Sequence, residues 1–543
     1  MLTIHRGALA LLCGALLASS AAAREAAPAA HAFFRVALPA TAAQPASGRL
    51  LLFAVDAKAA RAAAKDGKVE AVDVNPFFPT QTAIAAREVG RLAPGGEVLL
   101  DGDDQAFPAA FSRLPPGDYL VQAVLDVHHD YNYHGRDGGD LLSPVVALHL
   151  PADGMSDLAL TEPVPARKPW EIPASHLSET TRKHFDEARR AVQPIDFASP
   201  ALSAFWGRPV SLHGWVVLPP GYDPSARTTY PTVYLTHGFT GDLVTLTGNA
   251  AMLYGAMAEK QVPPMIWVLL DESSPTGTHE FADSVNNGPW GEALTTELIP
   301  ALERKYRMDA RPAGRFLTGH SSGGWATLWL QTRYPKVFGG TWSTSPDSSD
   351  FHDFNGVDLY APHANVYRRA DGTPYPLVRD HSKVIADFES FARMERVLGS
   401  YGGQMASFEW VFSPRGPAGR PLPMFDRDTG AVDPAVVAYW SEHYDIARRL
   451  KTHWPELKPD LDGKIHLVVG TADTFYLDGA AHKLKAVLDG LGAKSDFRFL
   501  PDRTHMDLYV QGEDRQALLK RMAWEMYAVA RPDSNLHAPA AAP

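Results

Sequence analysis

Arg315-Phe-Leu-Thr-Gly-His-Ser-Ser-Gly-Gly-Trp-Ala-Thr-Leu-Trp-Leu330 decides how the rest of the chain is read. Phe316 and Leu317 lead, as a short apolar strand, into Gly319-His320-Ser321-Ser322-Gly323, and an apolar, helix-compatible run follows. Strand, sharp turn and helix with a serine at the apex make a nucleophile elbow. Glycines two residues either side of the serine let strand and helix approach where a Cβ would clash. That geometry lifts the Ser321 Oγ clear of the sheet edge. It also sets the Ser322 backbone N–H at a helix N-terminus, where a developing oxyanion is stabilised. In a chain with 43 glycines the same residues can form a plain small-residue turn, so the surroundings decide.

Working outward, strands and helices alternate. Upstream lie an alternating strand from Val210, closed by Pro219-Pro-Gly221, and the near-continuous apolar strand Thr232-Val-Tyr-Leu-Thr-His-Gly-Phe239. A helical stretch (Leu243 to Glu259), a buried-type strand (Met265 to Leu270) and a helix (Gly291 to Tyr306) follow. Downstream comes Gly340-Thr-Trp-Ser-Thr-Ser345, a strand ending in small polar residues. Pro346 to about Leu461 is then an irregular block rich in Pro, aromatics and charge. Alternation resumes with Lys464 to Asp473, a helix from Ala480 to Leu491, the strand Phe497 to Leu500 and a closing helix from about Asp514 to Val529. This pattern predicts the α/β class: a doubly wound, mostly parallel sheet over 201–530 with an insertion at 346–461.

An insertion of that length is not a structureless loop. Because it leaves the sheet after Ser345, it is expected to cap Ser321. It would use Phe408-Glu-Trp-Val-Phe412 and a helix from about Pro434 to Leu450, with Asp433 as N-cap. The competing reading is a peripheral subdomain that only stabilises the fold.

Before the elbow half, residues 31–160 read as short strands broken by Gly, Pro and Asp, the pattern of an immunoglobulin-like β-sandwich. Residues 161–200 read as a Pro-punctuated charged linker with one helical piece, Glu179 to Val192. The polar cluster Asp126 to Asp140 (with His128, His129 and His134) invites a metal. Its spacing matches no ligand set, and hairpin loops of this composition are common, so no metal is expected.

Composition narrows the function. The 543 residues call for two or three domains, and a net charge of −11 without a basic run argues against nucleic acid. Met1 to Ala23 has Arg6, a short apolar core and an Ala21-Ala22-Ala23 exit, the parts of a secretory leader of an exported, periplasmic or secreted protein. The core is too short to span a bilayer, and no other stretch reads as a span. The single cysteine, Cys13, lies inside this segment, so the remainder has no disulfide and no cysteine metal site.

A serine nucleophile needs a base, and the base needs a partner that fixes its tautomer. In doubly wound hydrolases the chain order is serine, acid, histidine, each after a strand. Asp473 closes Gly470-Thr-Ala-Asp, and His505 closes Pro501-Asp-Arg-Thr-His after the last strand. Asp478, His482, His537 and Asp502 are worse placed. The backbone N–H groups of Phe239 and Ser322 are the candidate oxyanion donors. His279, Asn286, Asn287 and Trp290, after the strand ending at Leu270, are candidate substrate contacts, with a packed polar loop as the alternative.

Tyr230-Pro-Thr-Val-Tyr-Leu-Thr-His-Gly-Phe-Thr-Gly-Asp242, Glu297-Leu-Ile-Pro-Ala-Leu-Glu303 and the elbow resemble the "putative esterase" (esterase D-like) family of α/β-hydrolases. Members include feruloyl and acetyl esterases, enterochelin esterase, S-formylglutathione hydrolase and the antigen 85 mycolyltransferases. The resemblance spans about Leu202 to Val529 without the insertion. It implies an α/β-hydrolase with Ser321, Asp473 and His505 as triad, no cofactor, and a carbohydrate or other small ester as substrate. Ser322 stands where many members have Met, and the insertion is longer than the family's usual connection. An acyltransferase with the same triad, or a binding protein that keeps the fold, are the alternatives. Product analysis with an alcohol acceptor separates the first, and fluorophosphonate labelling the second.

Overall fold

Val233 and Leu235 face one side of the central sheet and Tyr234 the other, and both sides are buried. Burial on two faces is why the strands read as near-continuous apolar runs. The computed structural model describes residues 31–131, 135–151 and 154–539. The leader-like segment Met1–Ala23 and Asn132, Tyr133 and His134 of the polar loop lie outside them.

The central sheet comprises β1 (Gln193–Ala198), β2 (Ser211–Val217), β3 (Thr232–Thr236), β4 (Ile266–Leu270), β5 (Arg315–His320), β6 (Gly340–Thr344), β7 (Ile465–Gly470) and β8 (Ser495–Leu500). Their spatial order is β1-β2-β4-β3-β5-β6-β7-β8. β2 runs antiparallel to both neighbours, and β4, β3, β5, β6, β7 and β8 are mutually parallel. Helices Leu243–Ala258 and Ala517–Ala530 cover one face through Leu246, Ala250, Met522 and Met526. Leu298, Ile299 and Leu302, with Leu330 of the elbow helix Ser322–Arg333, cover the other. The loops after β3, β5, β6, β7 and β8 therefore leave the sheet along a single edge, where ligands of open α/β sheets bind.

Amino-terminal to this sheet, Glu97–Asp101, Phe33–Ala37 and Ser156–Ala159 form a three-stranded sheet. Ala46–Asp56, Thr82–Leu92 and Gly117–Asp126 are the long strands of a second. Phe34, Val36 and Leu100 of the first share a core with Leu50, Leu52, Val121 and Ala123 of the second. The outer face of the second sheet is also apolar: Leu51, Phe53, Ile84 and Val124 join the core of the insertion through Phe388 and Phe391. The buried Arg49 guanidinium reinforces this seam, donating to the Val397 carbonyl at 2.7 Å and pairing with Glu88 at 2.5 Å.

Residues 161–200 are not all linker, since Gln193–Ala198 is the edge strand of the central sheet, registered Pro194 to Trp215. A proline is tolerated there because an edge strand need not donate on its open side. The helix read over Glu179–Val192 is two short helices hinged at His184. That over Gly291–Tyr306 relaxes to a π-turn, Ala293–Leu298, ahead of Pro300. Asp433 does cap a helix, accepting from the Ala435 and Val436 amides, but the helix is Pro434–His443. Asp445 then caps a new one, Ile446–Leu461. No helix of the described residues is long and apolar enough to cross a membrane.

The aromatic piece of the insertion belongs to helix Gln404–Phe412, and its buried face packs on the elbow helix. Phe412 is 1% exposed, its ring centroid 4.7 Å from that of Trp325 on the elbow helix and 5.2 Å from that of Trp440. Phe408 and Phe412 sit one helical turn apart on a single buried face. Phe412→Ala should thus cost about 3–5 kcal/mol in denaturant unfolding. A loss under about 1 kcal/mol would show a site that closes freely.

Candidate active site

Ser321 has φ 60 and ψ −125 between β5 and the helix Ser322–Arg333, a conformation unfavourable for any residue with a Cβ. Its neighbours hold it there: Ser321 N–H donates to the Thr344 carbonyl at 3.0 Å, and its own carbonyl accepts from Trp325 N–H at 3.0 Å. The flanking glycines are required sterically. A Cβ on Gly319 would stand 2.2 Å from the Gly323 carbonyl oxygen, and one on Gly323 would stand 2.4 Å from that of His237. Positive φ recurs around the same edge at Thr240, Ser345, Tyr476 and Asp502.

After β7 and β8 the chain brings Asp473 and His505 together, both buried, with Asp473 Oδ2 2.9 Å from His505 Nδ1. The second carboxylate oxygen accepts from the Phe475 amide at 3.0 Å and the Leu477 amide at 3.3 Å. Burial alone would raise the Asp473 pKa, but the charge and hydrogen bond of His505 and the Phe475 amide outweigh it and hold the group below the ordinary carboxylate range. The ring of His505 lies 4.3 Å from that of His320, the residue before the serine. Asp478 is turned away, paired with Arg379 of the insertion at 2.7 Å. The same arginine donates Nε–H to the Asp473 carbonyl at 2.7 Å. The insertion thus reaches the site through its hairpin Pro376–Asp380/Lys383–Asp387.

The turn after β3 closes against the elbow: a Cβ on Gly238 would be 3.1 Å from the Ser321 Cβ. His237 fixes this turn, with Nδ1 2.8 Å from the Gly238 carbonyl and Nε2 3.0 Å from Asp271. Burial works against protonating His237, yet Asp271 and its other acceptors raise the pKa above the ordinary value. Ser322 is fully buried at the first turn of the elbow helix, and Phe239 follows Gly238.

The candidate substrate contacts sit elsewhere. His279 is fully buried and stacked on Trp290 at 3.7 Å, so it offers no surface to a substrate. Asn286 Nδ2 donates to the Ser413 carbonyl at 2.8 Å, and the Asn287 carbonyl accepts from the Trp206 and Trp290 indoles. Asn286, Asn287 and Trp290 border a cleft whose lining includes none of Ser321, Asp473 or His505. In the polar loop, the Asp126 and Asp140 carboxylates are engaged by the loop's own amides, those of His128, Tyr131, Val127 and Asp137.

Sequence reasoning missed Asp347. Its carboxylate accepts from Ser322 Oγ at 2.6 Å and its amide donates to the Ser321 carbonyl at 3.2 Å. The signal was present, an acid three residues past β6, next to the elbow strand in the sheet. The pairing also accounts for Ser322 in place of a methionine, since a buried hydroxyl needs a partner. Burial pushes Asp347 up to about 6, against the pull of the Ser322 hydrogen bond and the His505 charge. The folded state therefore binds this proton more tightly than the unfolded chain, so the group's penalty is full above pH 6 and is relieved as pH falls toward 4. Asp347→Asn removes the penalty. Its stability advantage over wild type should shrink by up to roughly 3 kcal/mol between pH 7 and 4. A pH-independent difference in urea melts would mean an ordinary carboxylate.

A family described as "Putative esterase" matches residues 209–490, just over half of the chain, which includes Ser321 and Asp473 but ends before His505. Two Mycobacterium tuberculosis proteins, Esterase Rv1288 (strain H37Rv) and Esterase MT1326 (strain CDC 1551), are each 32% identical over 188 residues. The match covers 32% of this chain and 39% of theirs. The chain thus aligns with well under half the length of the curated relatives it matches. Among solved structures, a ferulic acid esterase is 14% identical with TM-score 0.37, over 63% of this chain and 97% of its own. An S-formylglutathione hydrolase from Agrobacterium tumefaciens is 13% identical with TM-score 0.37, over 63% and 94%. At that distance these structures decide neither chemistry nor substrate.

Proposed function

We propose, from the premise that this chain belongs to the "Putative esterase" family, that it is a serine carboxylic ester hydrolase. The observation that carries the reading is Ser321 at φ 60 beside the 2.9 Å Asp473–His505 pair. His505, oriented by Asp473 through Nδ1, takes the proton of Ser321 Oγ as the hydroxyl attacks the ester carbonyl. The amides of Ser322 and Phe239 receive the oxyanion. His505 then protonates the leaving alcohol, and water repeats the cycle on the acyl-enzyme. No step calls for a cofactor.

The fold reading that goes with this is a doubly wound α/β-hydrolase sheet preceded by an immunoglobulin-like β-sandwich, supported by the strand order and the shared core of the two amino-terminal sheets. The Met1–Ala23 pattern supports export to the periplasm or beyond, checked by the amino-terminal sequence of the mature protein. We take the substrate to be an acylated carbohydrate or similar small ester. Labelling by an alkyl fluorophosphonate, mapped to Ser321, together with a panel of p-nitrophenyl acyl esters, feruloyl sugars and acetylated xylan, tests the proposal. Label found on another serine would overturn it.

A further inference from the structure

The cleft bordered by Asn286, Asn287 and Trp290 lies where the amino-terminal sheets, the strand-linking segments after β4 and the insertion meet, and its volume is about 1460 Å³. That exceeds the roughly 300–1,000 Å³ of a typical small-molecule pocket, so the space fits several linked rings better than one. Its lining carries six arginines against three carboxylates, Glu88, Asp104 and Asp126, in a chain whose net charge is −11. Three of the arginines are committed: Arg49 to Glu88 and the Val397 carbonyl, Arg393 to Glu389, and Arg396 to Asp428. The other three, Arg208, Arg415 and Arg420, are exposed and have no carboxylate partner among the described residues.

Their arrangement is specific. Arg208 lies over the Trp206 ring at 5.8 Å, and Trp206 is 39% exposed. Arg420, from the insertion, lies over Tyr401 at 5.4 Å, and the Tyr401 and Trp410 rings are 5.7 Å apart. Arg415 donates to the Val285 carbonyl. Stacking holds a guanidinium flat while leaving its planar donor fork available for a bidentate oxyanion. The exposed Trp206 and the half-buried Tyr401 and Trp410 beside these forks suit the apolar face of a pyranose ring. Nucleic acid fits less well, because three open cations are few for tracking a phosphate backbone.

We propose that this cleft binds a short anionic oligosaccharide, its carboxylate or sulfate groups on Arg208, Arg415 and Arg420 and its rings on Trp206, Tyr401 and Trp410. The site is distinct from the serine and stands whether or not Ser321 is a nucleophile. The test is calorimetric titration of full-length Ser321→Ala protein with oligogalacturonate, chondroitin sulfate hexasaccharide and neutral xylohexaose, none carrying a carboxylic ester. An acidic ligand should bind at least about tenfold more tightly than the neutral one, and more weakly at 200 than at 50 mM salt. Which acidic arm binds identifies the anion. Adding Arg208→Ala with Arg420→Ala should cost tenfold or more in affinity. In the wild-type background that pair should leave p-nitrophenyl acetate hydrolysis within twofold and the melting temperature unchanged. Equal binding of neutral and acidic sugars, no binding of either acid, or full affinity in the double variant would overturn the proposal.

Discussion

Alanine at position 321 should lower kcat on a p-nitrophenyl acyl ester by about four to six orders of magnitude, while the protein unfolds at the same denaturant concentration. On the proposed mechanism the loss is large because the bond-forming atom is gone and no other hydroxyl stands at that turn with φ 60. Folding is spared because alanine inherits the same backbone strain. Glycine sharpens the test. It adopts positive φ without cost, so Ser321→Gly should be equally inactive yet more stable than wild type by roughly 1 kcal/mol or more. Retention of more than a few per cent of activity by clean alanine variant would place the nucleophile elsewhere.

Asp473→Asn should lower kcat by about 10⁴-fold near pH 7. The wild-type carboxylate divides its oxygens, one accepting from His505 Nδ1–H at 2.9 Å and the other from the Phe475 and Leu477 amides. An asparagine keeps its carbonyl on those amides, so its NH₂ faces Nδ1. The ring must then carry its proton on Nε2, toward the serine, where it cannot act as base. Because the native carboxylate is held below its ordinary range, its contribution to stability is present above about pH 4 and lost as pH falls through the folded pKa. Asp478→Asn, which only loosens the Arg379 pair, should stay within several-fold of wild type. The reverse ranking in kcat would identify Asp478 as the acid.

Much of the fold was legible because the parallel strands are buried on both faces, so their runs stand out by composition alone. β1 was not, since an edge strand with Pro194 and alternating Ile195 and Phe197 resembles a loop until its partner β2 is present. Thr82–Leu92 carries only a weak strand signal for a related reason. Its Ala-rich sequence has little β-propensity of its own, and pairing with Ala46–Asp56 supplies what propensity does not. The insertion was readable as folded but not as placed. The faces of Phe408, Phe412 and Trp440 give helix positions, whereas the surface they cover depends on the elbow helix and the amino-terminal sheet.

By itself the sequence determined the strand–turn–helix at Ser321 and the strand ends from which Ser321, Asp473 and His505 come, because these follow from local turn chemistry and hydrophobic period. Only the tertiary structure decided what no local rule reaches. It set Asp347 against Ser322, turned Asp478 onto Arg379, enclosed His279, and opened a cationic, aromatic cleft at a three-way junction. Each of these depends on atoms far apart in the chain, whose approach is fixed by how whole elements pack rather than by their neighbours in sequence.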